Sequence, residues 1–368
     1  MKQFRILQFI TPVGFYGAEH WVLAFANNLK AGHVTCDLAL TEEGGGQDLR
    51  VAEYYPTSIG KVHLIPQRHR LDYRVVYKLC QTIRQRRIDI IHTHGYKSNI
   101  LGLIAAKRCG IKSVTTLHGS EGRVNFKRAL LTRADTLSYR LFDRVVPLSR
   151  QLVNDLARLR LPEGKVAYIE NGVDLTELDR YQDTPPSKGH SAHLGYVGQL
   201  IPRKGVKDLI RLFDRVWRTY PYAKLSLVGD GPQRSDLEAF ARSLASGENI
   251  RFLGFRTERL DIMRQFDCLL MTSSLEGIPR CIMEAMVLGV PVAAYRIPGV
   301  DQLITRGVTG ITAPHGDWQQ LADECLKVLD DRDYARTLRE NARALVIGRF
   351  SAARMAEEYL SLFAELMI

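Results

Sequence analysis

Short runs of β-branched and other apolar residues alternate along the first half of the chain with longer segments in which apolar residues recur at helical spacing. The runs predict strands at residues 5–10, 34–40, 88–92, 113–117 and 144–148. The helical patterns between them lie at residues 18–30, 73–87 and 98–109. This alternation is typical of βαβ units around a parallel sheet.

A polar stretch with several turn-forming residues at 181–192 separates this series from a second one, and we interpret it as a linker. Beyond it, strands are predicted at residues 193–197, 224–228, 249–253, 268–271, 290–294 and about 310–313, and helices at about 317–329, 334–347 and 351–365. The fold class is therefore α/β, with two doubly wound Rossmann-like domains at 1–180 and 193–348 and a last helical segment at 349–368. Because ligands bind at the carboxyl ends of the strands in such sheets, we expect the site in a cleft between the two facing domains.

The composition fits a globular protein of two domains. The chain has 368 residues, of which 45% are hydrophobic and 25% are charged, and this length exceeds what one ordinary core needs. No apolar run approaches the roughly 18 residues of a membrane span, and the first ten residues lack the pattern of a signal peptide. The six cysteines include no C-x-x-C pair and have no metal-ligand spacing. We therefore expect a cytoplasmic protein with reduced thiols.

The net charge of +11 is concentrated in the first half of the chain. Residues 1–180 contain 27 Lys and Arg against 17 Asp and Glu, a net +10, and the remainder contains 24 against 23, a net +1. This asymmetry suggests an anionic partner for the first domain. A solvated basic face is the simpler alternative, and an anionic membrane surface fits better than nucleic acid, for which no binding signature is present. A dense part of the charge consists of Arg68, Arg70, Arg74, Lys78, Arg84, Arg86 and Arg87.

The segment from Glu276 to Glu284 is the first candidate for chemistry. A predicted strand leads into a loop that contains Glu276, and a helical pattern that includes Glu284 starts at about Arg280. The unpaired N–H groups of a helix start, together with the helix dipole, form a phosphate site, and carboxylates beside it could accept hydrogen bonds from sugar and ribose hydroxyls. The alternative is a capped helix with a solvent-exposed glutamate. Since the residue before the helix is a proline without an N–H, the predicted backbone donors are Arg280, Cys281 and Ile282.

A second candidate follows the first strand of the second domain, in the segment GQLIPRKG at 198–205, which includes Gln199. Arg203 and Lys204 precede a helical pattern, where cations are unfavourable unless a bound anion offsets the helix dipole. They therefore indicate a phosphate, and the alternative is two exposed basic residues in a turn. Gly229, in the next strand-end turn, belongs to a Gly-x-Gly that lacks the full dinucleotide-binding pattern and is a weak signal.

In the first domain, Gly14 and Gly17 lie between the first strand and the following helix, where glycine lets a ligand approach the backbone closely. His92 and His94 share one face of a strand end, but no third metal ligand is evident beside them. His118 ends another strand, and we predict that it makes a polar contact to the substrate.

Segments from both domains together resemble the family-4 (group 1) retaining glycosyltransferases of the GT-B fold, and the resemblance covers nearly the whole chain. The last segment contains the Glu-x7-Glu motif of that family. The segments are GFYGAEHWVLAFANNL at 14–29, IDIIHTHG at 88–95, VTTLHG at 114–119, IENGVD at 169–174, LGYVGQLIPRKGVKDLI at 194–210, LSLVGDGPQRSDLE at 225–238 and EGIPRCIMEAMVLGVPV at 276–292.

The resemblance implies roles for the candidate residues. Glu276 would hold hydroxyls of the donor sugar, Glu284 would bind the ribose of the nucleotide, and Lys204 would contact the diphosphate. His118 would lie near the reacting sugar, and the two glycines after the first strand would line the acceptor-side loop near the diphosphate. Members of the family retain the anomeric configuration and need no bound metal.

Two positions depart from the family pattern. Gln199 stands where the family commonly has Arg, so the phosphate site has one positive charge fewer unless Arg203 supplies it. Gln302 stands where a Glu is usual. Both departures leave the identity of the donor open. The segment with Phe350 and Tyr359 resembles the part of the family's chains that crosses back onto the first domain.

The sequence thus predicts an enzyme that transfers a hexose-type sugar, with retention of configuration, from a UDP sugar or another nucleoside diphosphate sugar to a saccharide or lipid-linked acceptor. We expect a role in cell-envelope polysaccharide or glycolipid synthesis, in the cytoplasm or at the inner face of the membrane. The nucleotide sugar is a substrate, and no cofactor or metal is expected. The alternatives are a sugar-nucleotide 2-epimerase, a phosphorylase, or a non-catalytic protein that binds nucleotide sugars or nucleic acid.

Overall fold

The structure, a computed structural model, describes residues 4–12, 14–30, 32, 34–44, 47–69, 72–119, 133, 135–179 and 192–368. The chain divides into two compact units: unit 1 is Met1–Asp174 together with Ala352–Ile368, and unit 2 is Leu175–Ser351. The predicted linker, apart from Ala192, lies outside the described residues. The predicted first domain ended at residue 180, whereas residues 175–179 group with unit 2, where Glu177 makes ion pairs.

Unit 1 contains a parallel six-stranded sheet. Its strands are β1 (Arg5–Ile10), β2 (Thr35–Glu42), β3 (Val62–Pro66), β4 (Ile90–His94), β5 (Lys112–Leu117) and β6 (Arg144–Pro147). The described helices up to residue 174 are α1 (Gly17–Asn27), α2 (Arg50–Glu53), α3 (Arg74–Arg86), α4 (Tyr96–Cys109) and α5 (Arg150–Ala157). The strand order is β3-β2-β1-β4-β5-β6, and all five pairings are parallel.

Unit 2 contains a second parallel six-stranded sheet. Its strands are β7 (His193–Val197), β8 (Lys224–Val228), β9 (Ile250–Gly254), β10 (Cys268–Met271), β11 (Val292–Arg296) and β12 (Ile311–Pro314). Its α-helices are α6 (Leu175–Asp179), α7 (Val206–Thr219), α8 (Arg234–Arg242), α9 (Arg259–Met263), α10 (Arg280–Val287), α11 (Trp318–Asp330) and α12 (Arg332–Arg349). Short 3₁₀ turns at Pro202–Lys204 and Gly247–Asn249 complete it, and the strand order is β12-β11-β10-β7-β8-β9.

The strand order reverses once in each sheet. In unit 1 the reversal lies between β1 and β4, and in unit 2 it lies between β7 and β10. Ligands of open α/β sheets bind at the carboxyl ends of strands beside such a reversal, because the two loops there diverge to opposite faces of the sheet. The loops after β1, β7 and β10 carry most of the predicted site residues, whereas His118 follows β5 and Gly229 follows β8.

The last helix, α13 (Ala352–Leu366), is part of the core of unit 1. Met355, Tyr359 and Phe363 recur at four-residue spacing and are fully buried, so they form one apolar stripe along the helix. The stripe packs on α1, where the ring of Phe25 lies 5.7 Å from that of Tyr359 and 6.3 Å from that of Phe363. The end of the chain therefore stabilises the first unit rather than the second.

The predicted strands all form, with ends that move by no more than two residues. The structure adds β3, which the sequence pattern did not predict. This strand lies at the edge of its sheet, where Leu64 is half exposed and Pro66 needs no partner for an N–H. Because an edge strand buries little, it lacks the continuous apolar run of the central strands.

Candidate active site

The loops after β7, β8 and β10 pack closely against one another through backbone atoms. A Cβ on Gly229 would lie 1.9 Å from the carbonyl oxygen of Gly198, so only glycine allows the β7 and β8 loops to approach so closely. Gly205 has φ +62, and a Cβ there would lie 2.2 Å from the carbonyl oxygen of Thr272. The hydroxyl of Thr272 donates to the carbonyl of Gly205 at 3.0 Å. These contacts fix the loops that carry the charged candidates.

Lys204, Arg203 and Glu276 come together at the ends of β7 and β10. Lys204 Nζ lies 2.5 Å from Oε1 of Glu276, and Arg203 Nη1 lies 3.9 Å from Oε2. The same Arg203 nitrogen donates to the carbonyl of Leu275 at 3.1 Å, so Arg203 is held in the loop of Glu276. The carboxylate side chain is only 9% exposed. Gln199 lies in the β7 loop, where its carbonyl accepts a hydrogen bond from Tyr196.

Glu284, the second glutamate of the motif, is buried in α10 and paired with two arginines. Arg259 Nη2 donates to its Oε1 at 2.8 Å, and Arg280 Nε donates to the same oxygen at 2.7 Å. Burial alone would raise the pKa of Glu284, but the two guanidinium groups outweigh burial and lower it. Glu284 is therefore an ionised acceptor whose Oε1 is occupied.

The arginine pair is itself held by a second carboxylate from α6. Glu177 accepts hydrogen bonds from Arg280 at 2.9 Å and from Arg259 at 3.4 Å. Neither Glu177 nor Arg259 is among the site residues predicted from the sequence. The four-residue spacing of Arg280 and Glu284 on one helix could have revealed their pair, whereas Glu177 and Arg259 lie far away in sequence and carry no local signal.

The start of α10 offers two of the three predicted backbone donors. The third, Ile282, donates its N–H to the carbonyl of Pro279 at 3.2 Å. Within the described part of the chain, the N–H groups of Arg280 and Cys281 make no hydrogen bond. Burial raises the pKa of the Cys281 thiol to about 12, so this residue contributes its backbone and not a thiolate.

In unit 1, Gly14 and Gly17 flank the entry to α1. A Cβ on Gly14 would lie 2.3 Å from the ring of Tyr16, which is exposed, so a larger residue at position 14 would require that ring to move. Nothing lies within 4 Å of a Cβ placed on Gly17. Glu19 caps the helix, because its carboxylate accepts the N–H of Tyr16 at 2.9 Å.

Three histidines gather at the ends of β4 and β5, under the indole of Trp21. The ring of Trp21 lies 4.9 Å from His94, 5.4 Å from His92 and 5.7 Å from His118. Burial lowers the pKa of all three imidazoles, that of His118 to about 3, so they are neutral at pH 7. Both ring nitrogens of His92 and of His94 have hydrogen-bond partners within the protein. Within the described residues, no group of three or more His, Cys, Asp or Glu side chains is arranged to hold a metal ion.

Most of the predicted basic cluster lies on the exposed side of α3 and its flanks. Tyr73 and Tyr77 belong to the same side and are 74% and 60% exposed, so two aromatic rings stand among the cations. We call this surface the α3 basic face. Its exposed residues are Arg68, Tyr73, Arg74, Tyr77, Lys78, Arg84 and Arg87.

Two members of the predicted cluster do not belong to the α3 basic face. Arg70 lies outside the described residues. Arg86 turns back to Asp37, where Nε and Oδ2 are 2.6 Å apart. Burial alone would raise the pKa of Asp37, but hydrogen bonds from His63 and Arg86 hold it below its usual range. Among the described helices, none combines the length and the apolar character that a membrane span requires.

Two family models match consecutive parts of the chain. The model described as "Glycosyltransferase Family 4" matches residues 15–177, and the model described as "Glycosyl transferases group 1" matches residues 179–345. Together they include every candidate site residue except Gly14.

Characterised relatives and solved structures also cover most of the chain. It is 26% identical over 307 residues to N-acetyl-alpha-D-glucosaminyl L-malate synthase of Bacillus anthracis, covering 80% of each chain. It is 23% identical over 333 residues to UDP-Gal:alpha-D-GlcNAc-diphosphoundecaprenol alpha-1,3-galactosyltransferase of Escherichia coli, covering 86% of this chain and 84% of that one. The crystal structure of Anabaena HepE in complex with UDP and glucose superimposes with a TM-score of 0.83 at 21% identity, over 98% of this chain and all of that one.

Proposed function

Because the chain belongs to the family-4 (group 1) glycosyltransferases and has their GT-B fold of two Rossmann-like domains, we propose that it transfers a hexose-type sugar from a nucleoside diphosphate sugar to a saccharide or lipid-linked acceptor. The predictions of family and fold are confirmed by these matches. Retention of the anomeric configuration is part of the proposal. The observation that carries it is the position of Glu276 beside Arg203 and Lys204, next to the start of α10.

In the proposed reaction, the bond between the anomeric carbon of the sugar and the diphosphate breaks, and a bond from that carbon to a hydroxyl oxygen of the acceptor forms. The hydroxyl proton passes to the leaving nucleoside diphosphate, on which negative charge grows. Lys204, Arg203 and the N–H groups at the start of α10 supply positive potential that is in place before the reaction, and such preorganised charge stabilises the transition state. Lys204 would lie between the phosphate and Glu276 and balance both charges. Glu276 accepts hydrogen bonds from the hydroxyl groups of the donor sugar.

Glu284 is proposed to bind the ribose. Its Oε1 is held by two arginines, which leaves Oε2 to accept a hydroxyl, and its lowered pKa keeps it charged at any pH near neutrality. A charged acceptor makes a stronger hydrogen bond than a neutral one. The arginine pair would thus orient the carboxylate as well as stabilise it.

The positive charge of Lys204, Arg203 and the helix start leads us to propose that transfer needs no metal. The prediction is that a chelator such as EDTA leaves the rate unchanged. A rate that falls in EDTA and recovers with Mg²⁺ would contradict this part of the proposal.

A UDP sugar is the proposed donor, because the Escherichia coli relative is named for UDP-Gal and the Anabaena structure holds UDP and glucose. A thermal-shift panel of UDP, GDP, ADP and their sugars tests this choice. A ligand at one hundred times its Kd stabilises the folded state by about 2.7 kcal/mol, so UDP ligands should raise the Tm most. Product analysis by NMR then distinguishes transfer with retention from epimerisation, which needs no acceptor.

A lipid-linked acceptor at an anionic membrane is proposed from the α3 basic face and from the diphosphoundecaprenol in the name of one relative. Each Lys or Arg near an anionic membrane surface contributes about 1 kcal/mol to binding. The protein should float with liposomes that contain anionic lipid, and charge reversal of Arg74 and Lys78 should reduce the floating fraction. Flotation that does not depend on anionic lipid would contradict the proposal.

A further inference from the structure

A continuous chain of hydrogen bonds runs through the core of unit 1, from the end of β5 to α13. Its links are His118 Nε2 to His94 Nδ1 at 3.0 Å, His94 Nε2 to Gln8 Oε1 at 2.5 Å, Gln8 Nε2 to His92 Nδ1 at 3.2 Å, His92 Nε2 to Thr116 Oγ1 at 2.7 Å, and Thr116 Oγ1 to the hydroxyl of Tyr359 at 2.7 Å. Every member except His118 is buried. This chain of hydrogen bonds therefore connects His118, a predicted substrate contact, to side chains that are not among the predicted substrate contacts.

The amide of Gln8, in the middle of the chain, fixes the direction of the links toward His118. Its Oε1 carries no hydrogen, so His94 Nε2 must donate to it. A neutral imidazole has one N–H, so His94 Nδ1 is an acceptor, and His118 Nε2 must be the donor to it. The single N–H of His118 is thereby used, and its Nδ1 keeps a lone pair.

The hydrogen bonds on the other side of Gln8 are consistent with this direction. Gln8 Nε2 donates to His92 Nδ1, so the N–H of His92 is on Nε2 and donates to Thr116 Oγ1. The hydroxyl groups of Thr116 and Tyr359 can rotate and can act as donor or acceptor. An imidazole can also move its proton from one nitrogen to the other. Only the amide has two ends that differ chemically, so its orientation, with Oε1 toward His94 and Nε2 toward His92, sets the direction of the links, and the opposite orientation would reverse every one of them.

We propose that Gln8 is a positioning residue that holds His118 in the Nε2–H tautomer, so that Nδ1 accepts a hydrogen bond from a substrate hydroxyl. His118 is the partly exposed end of the chain, and in the described part of the protein its Nδ1 has no hydrogen-bond partner. The tautomer decides which ligand group fits, because Nδ1 without a proton binds a hydroxyl and repels a carbonyl or phosphate oxygen. This inference rests on the proposed function for the identity of the ligand, but not for the tautomer.

Nitrogen-15 NMR of protein labelled at histidine measures the tautomer directly, without substrate. The signals of His118 are assigned by their loss in His118→Asn. The wild type should show His118 protonated at Nε2 and unprotonated at Nδ1. A His118 protonated at Nδ1, or an equal mixture of tautomers, would overturn the proposal even if no variant of Gln8 folds.

Two variants separate the effect of Gln8 on the His118 tautomer from the effect of the other members of the hydrogen-bond chain. Gln8→Met has similar size without either polar group, and it should give His118 as a mixture of tautomers. Tyr359→Phe removes only the far end of the chain and should leave His118 at Nε2–H. If Gln8→Met keeps the wild-type tautomer, or if only Tyr359→Phe changes it, Gln8 does not have the proposed role.

Kinetics test whether Gln8 acts through His118. Gln8→Met should lower kcat/KM by about tenfold, the size of one hydrogen bond of about 1.4 kcal/mol, and Gln8→Glu, which keeps an acceptor toward His94, should restore part of it. In a His118→Ala background, Gln8→Met should cause no further loss. Additive losses would overturn the proposal. A wild type with no transferase activity would instead refute the proposed function, while the NMR result would still decide the tautomer.

Discussion

At the scale of single residues, Glu284 shows how a carboxylate stays ionised inside a protein. Its side chain is 3% exposed, and removal from water would normally favour the neutral form. Two guanidinium groups on one oxygen reverse this preference, and Glu177 binds the same arginines from the other side. Loss of one arginine would leave buried charge that the remaining partner only partly balances.

Arg259→Met tests this balance. Breaking a buried pair by removing one partner costs about 3–5 kcal/mol, and because Arg259 is partly exposed we expect about 2–4 kcal/mol of lost unfolding free energy for unit 2. Arg215→Met is the matched control, since Arg215 and Asp323 form a half-exposed pair worth less than about 1 kcal/mol. Urea unfolding measures both. Equal losses in the two variants would show that the Glu284 cluster is not a buried ionic network.

The sequence allowed prediction of the residues that follow strand ends, but not of their distant partners. Glu276 and Lys204 could be singled out because a charged residue in a loop between a strand and a helix is seldom needed for packing. Their meeting at 2.5 Å follows from the order of β7 and β10 in the sheet. Arg259 and Glu177 could not be predicted, since their roles depend on where α6 and α9 pack.

At the scale of elements, the strands and helices were largely predictable because a central parallel strand is apolar along its whole length and a surface helix is apolar on one stripe. The loops were less predictable. A Cβ on Gly299, after β11, would lie 1.6 Å from the carbonyl oxygen of Gly277, next to Glu276. The loop after β11 is thus in close contact with the loop that carries Glu276. No local sequence pattern predicts this contact.

Gly299→Ala should therefore displace the Glu276 loop. Overpacking of this kind costs about 1–3 kcal/mol, and the displaced loop should weaken the thermal shift caused by the donor. Gly348→Ala is the matched control, because Gly348 lies on the exposed side of α12 with nothing within 4 Å of a Cβ. It should stabilise the protein by about 0.5–1 kcal/mol and leave the donor shift unchanged. A normal donor shift in Gly299→Ala would mean that the two loops are not coupled.

At the scale of the whole molecule, each unit has its own core, and three neutral histidines lie at the core of unit 1, with His92 and His94 buried and His118 partly exposed. In the unfolded chain these side chains bind protons below pH about 6.5, whereas in the folded unit burial lowers their pKa values. The unfolded state therefore takes up more protons as the pH falls. The stability of unit 1 is fully present above pH about 6.5 and is lost progressively as the pH falls toward 3.

The expected loss is about 1.4 kcal/mol per histidine for each pH unit below about 6.5. Trp21 lies on the cluster, so its fluorescence reports the unfolding of unit 1 in a variant whose Trp217 and Trp318 are replaced by Phe. His92→Asn should reduce the pH dependence by one proton, and the exposed His69→Asn should not. The same unfolding free energy at pH 7 and pH 5.5 would contradict the assignment of neutral histidines.

Glu276 has the leading role in the proposed transfer reaction, and turnover of a UDP sugar by Glu276→Gln measures how much the reaction depends on its carboxylate. The amide keeps the size of the side chain but removes its charge and one acceptor, so kcat should fall about 100-fold or more, while UDP should still raise the Tm. Glu340→Gln, on the exposed side of α12, should behave as the wild type. A Glu276→Gln enzyme that turns over the donor within about twofold of the wild-type rate would show that the Glu276 carboxylate does not have the proposed role.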